Sequence, residues 1–168
     1  MARLVKIIAA AILAMPVVYV GATYRNLVGV FTHNDQKERA KTEYIVIHHD
    51  AINRESDLWE IQANHLKEWG DYFPYTFYLK DGIINQTRGI DIHTSHAIGR
   101  NSNGIGVCIH TPDKQNLRDQ FNLILTIWFL QLYYDIPRDR VIGHGEIENT
   151  ETDCPDMDMN EIRKKCIK

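Results

Sequence analysis

At 168 residues, with 44% hydrophobic and 24% charged content, the chain has the composition of one ordinary globular domain, not of a disordered or fibrous polymer. A formal charge of -3, with no basic run, excludes a nucleic-acid binder held by bulk electrostatics. Three cysteines, Cys108, Cys154 and Cys166, are odd in number and too few for a disulfide framework.

Arg3 and Lys6 precede residues 7–22, which carry no charge and are rich in Ala, Ile, Val and Leu, with Pro16 inside. A basic end followed by an apolar run reads as an export signal or a membrane anchor. The run is shorter than the roughly 20 residues that a spanning helix prefers. Val20-Gly21-Ala22 offers the small residues that a signal peptidase reads, so cleavage after Ala22 is the first expectation. An uncleaved anchor, of the kind some phage lysis enzymes use for export, is the second. Both place the protein in the periplasm or at the envelope, either secreted or attached to the inner membrane through residues 7–22. Residues 23–42 are polar and poorly periodic and read as a linker or irregular arm. Residues 43–168 then form the folded domain, long enough for one core without disulfide staples.

Residues 43–50, EYIVIHHD, form an apolar, β-branched run ending in two histidines. Successive side chains on a strand point to opposite faces, so one of His48 and His49 can enter a site while the other packs elsewhere. A helix is expected from near Ser56, with Leu58, Ile61, Ala63, Leu66 and Trp69 at helical spacing and Gly70 as its stop. YTFYL at 75–79 is a second strand, Lys80-Asp81-Gly82 a tight turn, and residues 83–87 the returning hairpin strand. SHAIGRNSN at 95–103 is loop by composition, and GIGVCIH at 104–110 is a buried strand with Cys108 as a small core residue.

Thr111-Pro112-Asp113 opens the longest helix, with Asp113 as N-cap. Leu117, Phe121, Ile124, Leu125, Trp128, Leu132 and Tyr133 keep a three/four spacing toward Asp135, and Pro137 ends it. Residues 140–143 lead in extended form to His144, and residues 159–165 suit a closing helix. Strands alternating with helices, plus one hairpin, predict an α/β single domain with a central mixed β-sheet flanked by helices.

His144 follows VIG as His48 follows IVI, and Cys154 comes ten residues later in TETDCPD. Two histidines and a cysteine, each at the end of an element, match a three-ligand zinc site whose fourth position stays open. Such an ion polarises a carbonyl and lowers the pKa of bound water.

Four segments taken in order resemble one family: IVIHHDA at 45–51, PYTFYLKDG at 74–82, SHAIGRNSNGIGVCI at 95–109 and GHGEIENTETDCP at 143–155. The chain is similar to the zinc-dependent N-acetylmuramoyl-L-alanine amidases, a family shared by phage lysozyme-type amidases and animal peptidoglycan recognition proteins. The resemblance implies His48, His144 and Cys154 as ligands of Zn2+. It also implies peptidoglycan or muropeptides as substrate, and hydrolysis of the amide between N-acetylmuramic acid and L-alanine. Tyr75 takes the place of a tyrosine that reaches the reaction centre, and Thr152 that of a residue that is lysine in some relatives. His96, Arg100 and Asn101 fall in the loop that lines the substrate groove. A monomer is expected.

The sequence departs from the family pattern at two further positions. Cys108 stands where some relatives carry a glutamate general base, and Thr76 stands where many have histidine. Water activated at the metal, with Tyr75, is therefore the expected arrangement, Glu146 and Glu151 being the other carboxylates near the motif. Two competing readings share the chemistry: a peptidoglycan-binding module without turnover, and a zinc cell-wall peptidase. Recognition relatives lose activity by replacing a zinc ligand, commonly the cysteine. All three ligands are present here, which favours catalysis. His33, His65, His93 and His110 receive no functional assignment.

Overall fold

β2 (Tyr44–His49) lies inside a six-stranded sheet, with β5 (Gly104–Ile109) parallel on one side and β6 (Val141–Gly143) parallel on the other. β3 (Phe77–Lys80) runs parallel to β5 and turns back into the antiparallel β4 (Ile83–Gln86), against which β1 (Thr23–Asn26) lies parallel. The strand order is β1-β4-β3-β5-β2-β6, a mixed sheet as the sequence predicts. The computed structural model describes residues 23–31, 37–69 and 73–167. The expected leader, His33 and the Gly70 helix stop lie outside these.

The period-two alternation of the strands separates two cores. Ile45, Ile47, Leu79, Ile105, Val107 and Ile109 face one way, against Leu123, Ile127 and Leu130 of helix α2 (Leu117–Tyr134) and Met159 and Ile162 of helix α3 (Met159–Lys164). Tyr78 and Cys108 face the other way, with Phe31, Phe73 and Ile61 of helix α1 (Leu58–Trp69), while Val46 packs with Ala97 and Ile147. His48 follows Val46 by two residues and so emerges on the face opposite α2 and α3.

The hairpin turn takes Asp81 to φ 55 and Gly82 to φ 71, the positive angles of a two-residue hairpin loop. At Gly82 a side chain would also strike the Arg118 side chain, and its N–H donates to both carboxylate oxygens of Asp119, at 2.9 and 3.0 Å. The turn is thereby pinned to the first turn of α2.

The described part of residues 23–42, expected as a linker or irregular arm, is an arm held against the sheet. Thr23 and Tyr24, β-favouring residues, pair with β4, Glu38 bridges Ile92, and the buried Arg39 donates to the carbonyls of Ile90 and Ile92. Asp113 does not cap the long helix. Residues Thr111–Asp113 form a 3-10 turn, Asp113 accepts the Asp81 N–H at 3.0 Å, and Asn116 caps α2 through the Arg118 N–H. The residues at helical spacing straddle two sides of α2. Ile124 lies in the core with Leu123, Ile127 and Leu130, and Leu125 and Tyr133 pack against it, whereas Leu117, Phe121, Trp128 and Leu132 are exposed.

Candidate metal centre

β2 and β6 are neighbours in register, Ile47 opposite Gly143, so the residue that follows each, His48 and His144, leaves the sheet at the same end. Their rings lie 4.7 Å apart. His144 opens a 3-10 turn (His144–Glu146), whose Gly145 N–H donates to the Cys154 carbonyl at 2.7 Å and draws the third residue in. Thr152 Oγ1 accepts the Cys154 N–H at 3.2 Å, and the Cys154 Sγ accepts the His49 N–H at 3.4 Å. His48 Nδ1 stands 3.9 Å from Cys154 Sγ, and the donor atoms of His48, His144 and Cys154 all lie within 4.8 Å of one another.

Zinc bonds of about 2.1 Å to nitrogen and 2.3 Å to sulfur at tetrahedral angles separate the two donors by about 3.6 Å. The 3.9 Å between His48 Nδ1 and Cys154 Sγ is close to that spacing, and the three donor types suit zinc.

A histidine chain fixes which nitrogen of His48 faces the cluster. The Gly104 carbonyl can only accept, so the 3.3 Å contact to His96 Nε2 places a proton on that nitrogen. Burial keeps His96 neutral, holding its pKa down near 3 with nearby cationic groups adding to the effect, so its Nδ1 is an acceptor. The 3.0 Å contact between His96 Nδ1 and His48 Nε2 then puts the His48 proton on Nε2. His48 Nδ1 is left with its lone pair toward Cys154. Burial, with His96, His144 and His49 acting in the same direction, keeps His48 neutral as a ligand must be. Burial lowers His144 as well. At Cys154 burial pushes the thiol up, while the His49 N–H and the Lys114 ammonium act to lower it.

Tyr75 sits beside the cluster, its ring 5.0 Å from that of His48. Burial, reinforced by Cys108, Cys154 and Asp50, raises its pKa well above the ordinary phenol value, so it is a proton donor.

The loop residues expected to line a groove are placed otherwise. His96 is buried, packed on Gly106, and both of its ring nitrogens are engaged within the protein. The Arg100 guanidinium lies 4.3 Å over the Tyr44 ring and donates to the Gly99 carbonyl at 2.9 Å. Asn101 Oδ1 accepts the Ala97 N–H at 2.7 Å and closes its own loop. Thr152 is exposed at the edge of the cluster. Glu146 accepts from the Gly143 N–H at 2.8 Å and from Arg163 at 2.8 and 2.9 Å, which makes it a structural carboxylate and not a free base.

Sequence reading missed the group that anchors the end of β2. Asp50 accepts from the Tyr78 hydroxyl, from His110 Nδ1 at 2.6 Å, from the Thr111 N–H and hydroxyl at 3.0 and 2.7 Å, and from the Ile52 N–H at 3.1 Å. Burial works to raise the Asp50 pKa, but these hydrogen bonds outweigh it and hold the carboxyl near 2. The only sequence signal was an aspartate directly after the histidine pair.

The fold and the three-donor cluster define a class of protein: an α/β domain with a candidate metal site at the carboxyl ends of parallel strands. The N-acetylmuramoyl-L-alanine amidase family profile matches residues 38–157, and the chain belongs to that family. It is accordingly an amidase of peptidoglycan. Its fold is similar to the N-acetylmuramoyl-L-alanine amidase LysC from Clostridium intestinale, with TM-score 0.72, 21% identity, and 85% of this chain and 96% of that one covered. It is also similar to the Ph2119 endolysin of a Thermus scotoductus bacteriophage, with TM-score 0.65, 18% identity, and coverage of 84% and 98%. Drosophila PGRP-LB is similar too, with TM-score 0.59, 25% identity, and coverage of 79% and 88%. A search of curated protein sequences gave no match.

Proposed function

We propose that the chain hydrolyses the amide between N-acetylmuramic acid and L-alanine with zinc held by His48, His144 and Cys154, outside the cytoplasmic membrane. The observation that carries this reading is the convergence of two imidazole nitrogens and a thiol within 4.8 Å, with Tyr75 beside them. Bound there, the ion supplies Lewis acidity for the amide carbonyl and acidifies a water molecule.

The chain's own residues do the rest. The Tyr75 phenol, kept protonated by burial, donates a hydrogen bond to the carbonyl oxygen as it gains charge. Thr152 holds the Cys154 N–H and presents its hydroxyl at the edge of the site. His96 orients His48 from behind, which replaces the substrate-binding role expected of it. Arg100 and Asn101 shape the 97–101 loop. Cys108 cannot replace a glutamate base. It is fully buried, and burial drives its thiol pKa up.

A variant of Drosophila PGRP-LB was solved in complex with tracheal cytotoxin, which supports a muropeptide as the ligand here. The three donors come from one chain, so a monomer suffices. The uncharged residues 7–22 support export, with the domain in the periplasm or at the envelope.

The test is product mass on muropeptides. Free stem peptide should appear with zinc-loaded protein and vanish on chelation, in His144→Ala and in Cys154→Ser. Activity that survives in metal-free protein overturns the reading. A fragment cut between two amino acids identifies a peptidase, and retention of muropeptide without product identifies a binding module.

A further inference from the structure

Along α2, Leu117, Phe121, Trp128 and Leu132 are 82, 40, 36 and 43% exposed, and Leu125 among them is half-buried. At about 100° per residue these five positions fall within an arc of about 80°, one apolar stripe along the helix. The core takes Leu123, Ile127 and Leu130 from the other side of α2, and Leu125 packs against its margin. A contiguous exposed apolar stripe of this kind marks a surface that is covered in its working environment.

Two observations say what covers the outer side. The uncharged run of residues 7–22 ends next to Thr23. Thr23 pairs with Ile83, and Gly82 beside it is bonded to Asp119 in the first turn of α2. Thr23, the first described residue, therefore sits beside the end of α2 where Leu117 is most exposed. Further along the stripe, Trp128 donates to the Lys165 carbonyl at 2.7 Å, and the exposed Arg138, Lys164 and Lys165 lie in that region, Lys164 paired with Glu161. An indole with basic neighbours beside an aliphatic stripe is the chemistry of a membrane–water interface.

We propose that the outer face of α2 rests on a lipid bilayer at headgroup depth, beside the point where residues 7–22 attach the chain. His48 leaves the sheet on the face opposite α2, so this orientation turns the metal centre away from the lipid and toward the wall. The proposal rests on the second of the two readings of residues 7–22, an uncleaved anchor and not a cleaved signal, and is independent of the amide chemistry.

The full chain carrying Trp59→Phe and Trp69→Phe retains Trp128 as its one indole. Mixed with vesicles of phosphatidylethanolamine and phosphatidylglycerol, it should co-sediment, and Trp128 emission should shift to the blue. Bromine on the acyl chains should remove most of that emission. Adding Leu117→Gln, Phe121→Gln and Leu125→Gln should relieve the quenching while residues 7–22 keep the protein on the vesicles.

Sedimentation with unquenched emission overturns the α2 proposal alone, and failure to sediment overturns the anchoring reading with it. Emission already blue before lipid is added, and indifferent to bromine, assigns the stripe to residues 7–22 of the same chain. A dimer in the ultracentrifuge with unquenched emission on vesicles assigns it to a second copy. Either result overturns the bilayer.

Discussion

At the position of His48, the tautomer is set by a residue that touches neither metal nor substrate. The chain from the Gly104 carbonyl through His96 leaves one nitrogen of His48 for the ion. Partners of this kind are worth about 10- to 100-fold in metal affinity. His96→Phe keeps a ring against Gly106 but removes both nitrogens, and its zinc affinity, read by competition with a chromophoric chelator, should fall by about that factor. Unchanged affinity would leave His96 as packing only. Tyr75→Phe tests the donor on the other side of the cluster. It should lower kcat by about 10²- to 10³-fold with little change in KM, because the hydrogen bond strengthens only as the oxyanion forms. Both residues are visible in the sequence, but their roles are not equally legible. Tyr75 stands where a strand leads to the site, whereas His96 reads as a groove residue because nothing in SHAIGRN reveals that its ring turns inward onto Gly106.

Among the elements, α2 shows what periodicity conveys and what it omits. Its length follows from helical spacing, but a helix apolar on both sides carries two stripes, and spacing alone cannot say which one meets the sheet. The start is ambiguous for a similar reason. Asp113 and Asn116 are both good caps, and the choice depends on the hairpin turn, which draws Asp113 to the Asp81 N–H. Asn116→Ala should therefore cost about 1 kcal/mol in urea unfolding.

Asp119, one turn along, gives the element a pH dependence. Burial is the largest influence on its carboxyl and raises the pKa to about 6, although the Gly82 N–H acts to lower it. The folded state thus holds this proton more tightly than the unfolded chain, whose value is about 3.9. The resulting stability is fully present below about pH 4 and is lost as pH rises through about 6. Asp119→Asn keeps an acceptor for Gly82 and removes the titration. Its urea midpoint should therefore decline less than that of the unaltered protein between those values.

The whole molecule divides its labour across the sheet. One face carries the larger hydrophobic core with α2 and α3, while the metal cluster hangs from the strand ends on the other side. This division was legible in outline, since EYIVIHHD and VIGH announce strand ends bearing histidines. The long-range joins were not legible, because the Asp50 network and the bond from Gly145 to Cys154 link residues far apart in the chain. Under the proposed function, those joins determine how the protein responds to removal of zinc. The α2 face holds β2, β3 and β5 through side chains that no ligand residue shares, so chelation should leave a folded, cooperative apoprotein instead of an unfolded chain. An ion bound only by the native state adds about 4 kcal/mol at a free concentration about a thousandfold above Kd. For a chain of this size that corresponds to a rise of about 8–16 °C in Tm. Calorimetry of zinc-loaded and chelated protein should show two single transitions separated by that order. Cys154→Ser should melt near the apoprotein value with or without zinc. Loss of the cooperative transition on chelation would mean that the cluster, and not the α2 core, holds the sheet together.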